Sequence, residues 1–358
     1  MPKGNTTLVI LSPGFPKDES DSTCLPFLQD FIREINEQFP SLTIIVLALD
    51  YPFSKTIYRW HNNEVIPLNG WKKRGFQKLY KWLLIWKRIK KINHHNNITG
   101  LLSLWCGECA LLGNRFAKKN HLFHFCWIQG QDARKENKYV ARINPSPEEL
   151  IALSDFGRNE FEKNHGIRPG QIIPLGIRPA VSPGEPTVRD IDVLGVGSLI
   201  PLKQYHLFID AVYHLKKDLP DIKAVICGKG AEEINLRALI AKYDLEKNVM
   251  LTGELAHEEI IRTMNRSKVF LHPSNYEGLS VVCIEALQAG CRVISLIQPM
   301  SYPIDHWSVA DTIEKMIVIA KSILHNPAVT YTPVLPFTTR DSVKNIMHLF
   351  NYKEPMIS

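Results

Sequence analysis

Short apolar runs alternate along the chain with stretches in which apolar residues recur every three or four positions. The first pattern is typical of strands buried on both faces, and the second of helices that cover a sheet. Their alternation predicts parallel sheets with helices on both sides. Strands are predicted at 8–11, 43–49, 98–104, 122–128, 150–154, 171–175, 192–197, 222–227, 249–252, 269–271 and 291–295.

Helical spacing separates most of these runs. Helices are predicted at about 23–38, 108–118, 158–165, 257–265 and 338–350, with others that end near 217 and 243. The segment 179–186 is rich in Pro, Gly and Ser and is predicted to be a linker. We therefore predict two α/β domains, residues 1–180 and 187–335, followed by a terminal segment at 336–358.

Composition restricts the class of protein. With 358 residues, 45% hydrophobic and 22% charged, the chain has the balance of a globular protein with two cores. No apolar run approaches the roughly 18 residues that a membrane span needs, and the start lacks the pattern of a secretory leader. A cytoplasmic protein is expected. The seven cysteines lie mostly in apolar runs, which predicts reduced thiols, not disulfides.

Charge is unevenly distributed. Residues 1–180 contain 25 Lys or Arg and 16 Asp or Glu, a net of +9, whereas residues 181–358 contain 18 and 20, a net of −2. The first half is therefore expected to meet an acidic partner, either a phosphate-bearing acceptor or an anionic membrane.

The segment from Trp71 to Lys91 concentrates this charge, with nine Lys or Arg and no acidic residue. Its apolar residues approximate one helical face, which Trp82 and Ile85 widen: Phe76, Leu79, Tyr80, Leu83, Trp86 and Ile89. Basic residues beside Trp and Tyr suit the headgroup layer of a bilayer. The hypothesis is that this segment docks on the inner membrane face. The alternative is an amphipathic helix whose aromatic residues pack in the core.

Residues 268–295 form a predicted strand–loop–helix–strand unit that contains Glu277 and Glu285. The helix is expected to start near Ser280 and to end at Gly290 in a left-handed cap. The N–H groups of Gly278, Leu279 and Ser280 and the helix dipole would then favour a phosphate.

Two carboxylates that touched a phosphate would repel it, so they suit hydroxyls on either side of it. A nucleotide sugar has that arrangement of sugar, diphosphate and ribose. The alternative is that both glutamates are solvated helix residues.

The Glu-x7-Glu spacing of Glu277 and Glu285 resembles the signature of family 4 glycosyltransferases, which are retaining enzymes of the GT-B fold. The resemblance spans most of the chain and weakens after about residue 297. It implies two Rossmann-like domains facing across a cleft, the first for the acceptor and the second for the donor. It also implies that the terminal helix crosses back to the first domain, that Glu277 holds sugar hydroxyls and that Glu285 holds the ribose.

Residues 196–203 resemble the family's Gly-Arg-Leu-x3-Lys segment, whose cations hold the donor diphosphate. Lys203 matches the lysine, and Ser198 stands where the arginine is usual. Gly228 and Gly230 resemble a Gly-x-Gly turn that places backbone near the nucleotide base, although a plain turn is the alternative. His272 matches a strand end that is more often structural than catalytic in the family.

In the first half, Gly14 follows the first strand, where related enzymes carry glycines near the diphosphate; a simple turn glycine is the alternative. Residues 129–132 resemble a His-Gly-x-Asp segment, with Gln129 in place of the histidine that reaches the transferred sugar. An amide can bind a sugar hydroxyl but cannot exchange a proton. Glu108 begins a helix, where it would face the cleft or simply complement the helix dipole.

The resemblance implies retaining transfer of a sugar from a nucleotide-diphosphate sugar to a glycan or lipid-linked acceptor, in cell-surface polysaccharide or glycolipid synthesis. The nucleotide sugar is then a substrate, and neither a cofactor nor a metal is expected. The alternatives are a non-catalytic nucleotide-sugar-binding protein and a nucleotide-sugar epimerase on the same fold. Absence of GxGxxG argues against a dinucleotide oxidoreductase, and no nucleic-acid motif is present.

Overall fold

The structure is a computed structural model that describes residues 5–70, 75–179 and 188–354. Apart from Pro179, the predicted linker at 179–186 lies outside these residues, as do positions 71–74 of the basic segment. The chain divides into two compact units. The first comprises Met1–Arg178 with Thr339–Ser358, and the second comprises Pro179–Thr338.

The first unit is built on an eight-stranded sheet in the order β3-β4-β2-β1-β5-β6-β7-β8. Its strands are β1 Thr6–Gly14, β2 Thr43–Tyr51, β3 Tyr58–Trp60, β4 Asn63–Pro67, β5 Asn97–Leu104, β6 Phe123–Trp127, β7 Leu150–Ala152 and β8 Gln171–Ile172. Its first five helices are α1 Pro26–Gln38, α2 Gly75–His95, α3 Glu108–Asn120, α4 Lys138–Ile143 and α5 Asp155–His165.

Strand β1 lies near the middle of this sheet and pairs in parallel with β2 and β5. Leu8, Val9, Ile10 and Leu11 are all fully buried, which explains why the sequence here is a continuous apolar run. All pairings in the sheet are parallel except the β3–β4 hairpin at its edge. The sequence analysis missed this hairpin because its strands are short and contain polar residues.

The second unit contains a six-stranded parallel sheet in the order β11-β10-β9-β12-β13-β14. Its strands are β9 Ile191–Val196, β10 Ala224–Cys227, β11 Val249–Gly253, β12 Ser267–His272, β13 Arg292–Ser295 and β14 Trp307–Val309. Its helices are α6 Tyr205–Lys216, α7 Glu233–Lys242, α8 His257–Asn265, α9 Val281–Gln288 and α10 Ile313–His325. Counted along the unit, this is the doubly wound order 3-2-1-4-5-6 of a Rossmann sheet.

The last helix, α11 Thr339–Leu349, belongs to the first unit. The Gly176 N–H donates to Ser342 Oγ at 3.1 Å, and Thr339 Oγ1 donates to the Gly176 carbonyl at 3.1 Å. Phe350 packs against Phe125 of β6. These contacts attach the end of the chain to the unit in which the chain begins.

Most predicted elements are present with small changes of boundary. Helix α1 begins at Pro26, not near residue 23, because proline is well suited to the first helical position. Strand β14 and helix α10 were not predicted. The first is only three residues long and follows a Pro-rich loop, which hides its pattern.

Helix α2 has two different faces, and the single apolar face predicted for it is wrong. Ile85, Ile89 and Ile92 lie in the core, with Trp82 and Trp86 packed beside them. In contrast, four residues in the first part of the helix are exposed: Phe76 by 91%, Leu79 by 53%, Tyr80 by 60% and Leu83 by 55%. The alternative that the aromatic residues pack inside is therefore also wrong for Phe76 and Tyr80. Within the described residues, no helix is both long and apolar enough to cross a bilayer.

Two loops at the carboxyl edge of the second sheet pack backbone against backbone. A Cβ atom at Gly228 would lie 1.9 Å from the Gly197 carbonyl oxygen, and one at Gly230 would lie 2.3 Å from that of Leu199. The Leu199 N–H donates to the Lys229 carbonyl at 3.0 Å. The glycines of this turn therefore allow the loops after β9 and β10 to pack directly together.

The substitution Gly228→Ala is expected to lower the free energy of unfolding by about 3 kcal/mol or more, because it adds a backbone clash to a strained φ of 150°. Gly253→Ala is the matched control. Gly253 also has positive φ, 74°, but no atom lies within 4 Å of its Cβ position, so the expected cost is about 1 kcal/mol. Denaturant unfolding of both variants checks this, and equal costs would contradict the packing argument.

Candidate functional site

The order of the second sheet determines where a ligand can enter this unit. Strands β9 and β12 are neighbours, but the chain continues from them toward opposite edges of the sheet. Connections that diverge in this way leave a crevice beyond the carboxyl ends of the two strands. The loop after β9 and the loop between β12 and α9 lie at this edge.

These two loops bring Lys203 and Glu277 together. Lys203 ends a short 3-10 helix at Pro201–Lys203, and its Nζ lies 2.6 Å from Glu277 Oε2. The Ser274 hydroxyl donates to the Leu202 carbonyl at 3.3 Å and lies 3.4 Å from Glu277 Oε2. Both charged side chains are largely buried, with 17% and 23% exposed. A residue 74 positions away thus supplies the cation that Glu277 needs.

His272 completes the surroundings of Glu277. Its buried Nε2 lies 3.6 Å from Glu277 Oε2, and burial lowers the pKa of the imidazole. Burial also opposes ionisation of Glu277. The nearby His272 ring and the Lys203 ammonium group outweigh that effect, and the pKa of Glu277 falls to about 2. Glu277 is therefore ionised at physiological pH and suited to accept hydrogen bonds.

Helix α9 begins beside this pair. Ser280 is its N-cap residue but makes no side-chain capping bond, and its buried hydroxyl has no partner among the described residues. The first N–H groups of a helix lack intrahelical acceptors. Leu279 and Ser280 are buried, and Gly278 precedes them in the same loop. At the other end, Gly290 has the predicted positive φ, 81°.

Glu285 occupies a different environment from Glu277. It is the fifth residue of α9, and its Oε1 lies 2.9 Å from His257 Nε2, at the start of α8. The structure thus gives each glutamate its own basic partner. The spacing in sequence identified both residues, but neither histidine was recognised as a partner.

Ser198, in the position where related sequences carry arginine, is exposed in the loop after β9. Gly228 and Gly230 lie next to this loop through the contacts described above. The second unit therefore places Lys203, Ser198, Glu277 and the glycine turn at one edge of its sheet.

Gln129 lies in the first unit, in a loop that hydrogen bonds to Asp132 hold in place. Gln129 precedes a short 3-10 helix at Gly130–Ala133, and its N–H donates to Asp132 Oδ2 at 2.8 Å. The same oxygen accepts the Cys106 N–H at 2.9 Å. Asp132 therefore joins the loops after β5 and β6. Burial raises its pKa to about 7, although both backbone hydrogen bonds oppose the shift.

Glu108 forms an ion-pair cluster that the sequence analysis did not foresee. Lys78 and Lys81, both on the inner face of α2, contact its two carboxylate oxygens, and Lys81 also lies 3.1 Å from Asp50 Oδ1. Burial opposes the ionisation of Glu108, but the hydrogen bonds from these lysines lower its pKa. Glu108 is thus held by two cations and is more than a helix-dipole carboxylate.

Gly14 and Glu108 line a cavity of about 500 Å³ at the carboxyl edge of the first sheet. Here β1 and β5 are neighbours from which the chain again diverges. Each unit therefore has a crevice at its own topological switch point.

Among the described residues, no group of three or more His, Cys, Asp or Glu side chains is arranged to hold a metal ion. One Asp-x-Asp spacing does occur, at Asp190 and Asp192. These residues lie at the amino end of β9 and pair with Arg266 and Lys268. They lie at the amino ends of the strands, whereas Glu277 lies beyond the carboxyl ends. All seven cysteines are free, and six are buried.

Two doubly wound α/β units in one chain are typical of the GT-B class of fold. HepE of Anabaena, solved in complex with UDP, has a TM-score of 0.65 at 15% identity over 96% of this chain and 95% of that chain. Sucrose-phosphate synthase of Thermosynechococcus elongatus has a TM-score of 0.64 at 15% identity, over 97% and 94% of the two chains.

Sequence comparison identifies the family to which the chain belongs. Residues 184–300 match the family model described as "Glycosyl transferases group 1". A Campylobacter jejuni protein named N-acetylgalactosamine-N,N'-diacetylbacillosaminyl-diphospho-undecaprenol 4-alpha-N-acetylgalactosaminyltransferase is 36% identical over 73% of this chain and 69% of its own length. The chain therefore belongs to the group 1 glycosyl transferases.

Two further relatives are longer than this chain. The gpi3 component of phosphatidylinositol N-acetylglucosaminyltransferase from Schizosaccharomyces pombe is 26% identical over 62% of this chain. A human protein that carries the same transferase name is 27% identical over 61%. The matched part spans about half of each relative, 49% and 45%.

The Asp132 carboxyl is expected to make the free energy of unfolding depend on pH. Its pKa is about 7 in the folded chain and near 4 when unfolded, so only the folded state keeps this proton between pH 4 and 7. Its contribution to stability is therefore complete below pH 4 and is lost as pH rises to 7. Asp132→Asn should remove this loss, on the order of a few kcal/mol at pH 8 relative to pH 4.

Denaturant unfolding at several pH values checks this prediction. The asparagine oxygen can still accept the two N–H groups that meet at Asp132 Oδ2. Asp30→Asn, on helix α1, is the control and should keep the wild-type pH dependence. An Asp132→Asn protein with the same pH dependence as wild type would refute the raised pKa.

Proposed function

We propose that this chain transfers a sugar, with retention of anomeric configuration, from a nucleotide-diphosphate sugar to a glycan or lipid-linked acceptor. The observation that carries the proposal is the buried Lys203–Glu277 pair at the switch point of the second sheet, beside the start of α9. Membership of the group 1 glycosyl transferases supports the same reaction.

The pair suits the charges of such a donor. Lys203 is positioned to stabilise the negative charge that grows on the departing nucleoside diphosphate. The N-terminus of α9 adds a second favourable field for the same phosphates. Glu277, fixed in its ionised form, accepts hydrogen bonds from hydroxyls of the transferred sugar. Glu285 is assigned to the ribose, and the exposed Ser198 hydroxyl to a diphosphate oxygen.

The glycine-rich turn has a supporting role in this scheme. Gly228 and Gly230 keep the loop after β9 close to its neighbour, so that the backbone of residues 197–199 can approach the donor. Gly14 is assigned a comparable backbone role in the first unit. The amides of Gly278, Leu279 and Ser280 complete the diphosphate site.

Proton transfer in this scheme needs no strong protein base. The bond from the anomeric carbon to the diphosphate breaks, the bond to the acceptor oxygen forms on the same face, and the leaving diphosphate takes the acceptor proton. Gln129 fits this chemistry, because an amide can orient a sugar hydroxyl but cannot exchange a proton. The donor itself is proposed to be a UDP-sugar, since HepE was solved with UDP.

Lys203→Met and Glu277→Gln are each expected to reduce sugar transfer, or donor hydrolysis without acceptor, by about 100-fold or more. Lys268→Met is the matched control. Lys268 forms an ion pair of 2.8 Å with Asp192 in the same unit, but at the amino ends of the strands. It should keep wild-type turnover. Turnover is measured as nucleoside diphosphate release from a panel of nucleotide sugars.

Two results would count against the proposal. Absence of turnover with every donor and acceptor tested would favour a non-catalytic binding protein. Full activity of Glu277→Gln would remove the proposed role of its charge. Product analysis without acceptor separates transfer from epimerisation.

We also propose that the outer face of helix α2 docks on an anionic membrane, where a lipid-linked acceptor is found. Phe76, Leu79, Tyr80 and Leu83 form an exposed apolar stripe, and Lys87, Lys90 and Lys91 continue it along the exposed side of the helix. Apolar residues can enter the headgroup boundary while the lysines attract anionic lipids.

The double substitution of Leu79 and Leu83 by Ser is expected to weaken vesicle binding by about tenfold or more, because two apolar side chains no longer leave water. Val318→Ser is the control, since Val318 is 65% exposed on α10, in the other unit. Co-sedimentation with phosphatidylglycerol vesicles at low and high salt checks this. Equal binding to neutral vesicles, or no binding at low salt, would refute docking.

A further inference from the structure

The cavity of about 500 Å³ in the first unit has an unusual lining for so basic a unit. Among the described residues that line it are the carboxylates of Asp50, Glu108 and Asp132, but neither a lysine nor an arginine. The hydroxyl-bearing residues Tyr51 and Tyr139 and the amides of Gln131 and Asn137 also line it. The polar groups of this cavity are therefore mainly hydrogen-bond acceptors and neutral donors.

The cations that pair with Asp50 and Glu108 belong to α2 and are not part of the lining. Lys81 is buried and contacts both Asp50 and Glu108, and Lys78 contacts Glu108 and the Tyr139 hydroxyl, the latter at 2.8 Å. Their ammonium groups are thus already paired. They keep the carboxylates in place as acceptors and offer little attraction to an added phosphate.

Trp105 supplies a flat apolar surface in the same cavity. It follows β5 and has a φ of 66°, a left-handed conformation that is rare for a bulky residue. Its backbone N–H donates to the Trp127 carbonyl at 3.2 Å. Phe27 packs against its ring at a centroid distance of 6.1 Å. Strained backbone of this kind is concentrated at ligand sites. An aromatic ring among fixed acceptors matches a sugar ring, which has apolar C–H faces and a rim of hydroxyl donors.

We propose that this cavity is the acceptor subsite and that it binds an uncharged pyranose, stacked on Trp105 with hydroxyls donating to Asp50 and Glu108. The inference rests on the proposed function, because the bound sugar would be the acceptor. It adds that the part of the acceptor recognised here is a neutral sugar ring and not a phosphate. The phosphate-bearing part of a lipid-linked acceptor must then bind elsewhere, since neither a lysine nor an arginine is among the described residues that line this cavity.

Saturation-transfer NMR with the full chain tests this without donor or turnover. The probes are methyl pyranosides of hexoses and N-acetylhexosamines, together with their 6-phosphates. At least one neutral pyranoside should bind, and its 6-phosphate should bind at least about tenfold more weakly. Trp105→Gly should weaken pyranoside binding by roughly tenfold, whereas Trp105→Phe should retain it.

Trp105→Gly is chosen because glycine adopts a φ of 66° without strain, so the fold is kept while the ring is removed. Asp50→Asn is the second variant; it leaves Lys81 paired with Glu108 and should also weaken binding. Failure of every pyranoside to bind, tighter binding of a 6-phosphate, or unchanged binding in both variants would overturn the inference. Donor turnover that persists when pyranoside binding fails leaves the proposed function standing and overturns only this inference. Pyranoside binding without any turnover removes the proposed function, and with it the assignment of the bound sugar as an acceptor.

Discussion

The need to pair buried carboxylates governs the carboxyl edges of both sheets. An ionised carboxylate loses its water on burial and is tolerated only if a cation or N–H groups face it. Glu277 has Lys203 and His272, Glu108 has Lys78 and Lys81, and Asp132 has two backbone N–H groups. In each case at least one partner comes from a different loop or helix, so the pairing also fixes the loops that form the site.

The pKa of each buried carboxylate depends on whether its partner is a cation or a backbone N–H group. Full cations lower the pKa of Glu277 and Glu108 and keep both as permanent acceptors. Asp132 has only backbone donors, and burial raises its pKa to about 7. The first two carboxylates are thus suited to hold hydroxyls of a ligand. The third serves the structure, because its hydrogen bonds join the loops after β5 and β6.

Helix α2 shows how one basic segment can serve two surfaces. Its inner face contributes Ile85, Ile89 and Ile92 to the core and two lysines to the cluster around Glu108. Its outer face exposes an apolar stripe followed by lysines. The excess positive charge of residues 1–180 is therefore of two kinds: some is neutralised inside the unit, and the rest remains available at its surface.

The sequence alone determined the alternation of strands and helices. A strand buried on both faces needs a continuous apolar run, and a helix that covers a sheet needs apolar residues at every third or fourth position. It also singled out Glu277 and Glu285 as candidates, because they lie on a predicted loop and helix that follow a strand, and Lys203 through its match to a segment of the family. It could not determine which face of α2 is buried, since tryptophans and isoleucines surround much of that helix. Nor could it pair Lys203 with Glu277, or Lys78 and Lys81 with Glu108. Those contacts join positions far apart in the chain, and only the order of strands in each sheet brings them within a few ångströms.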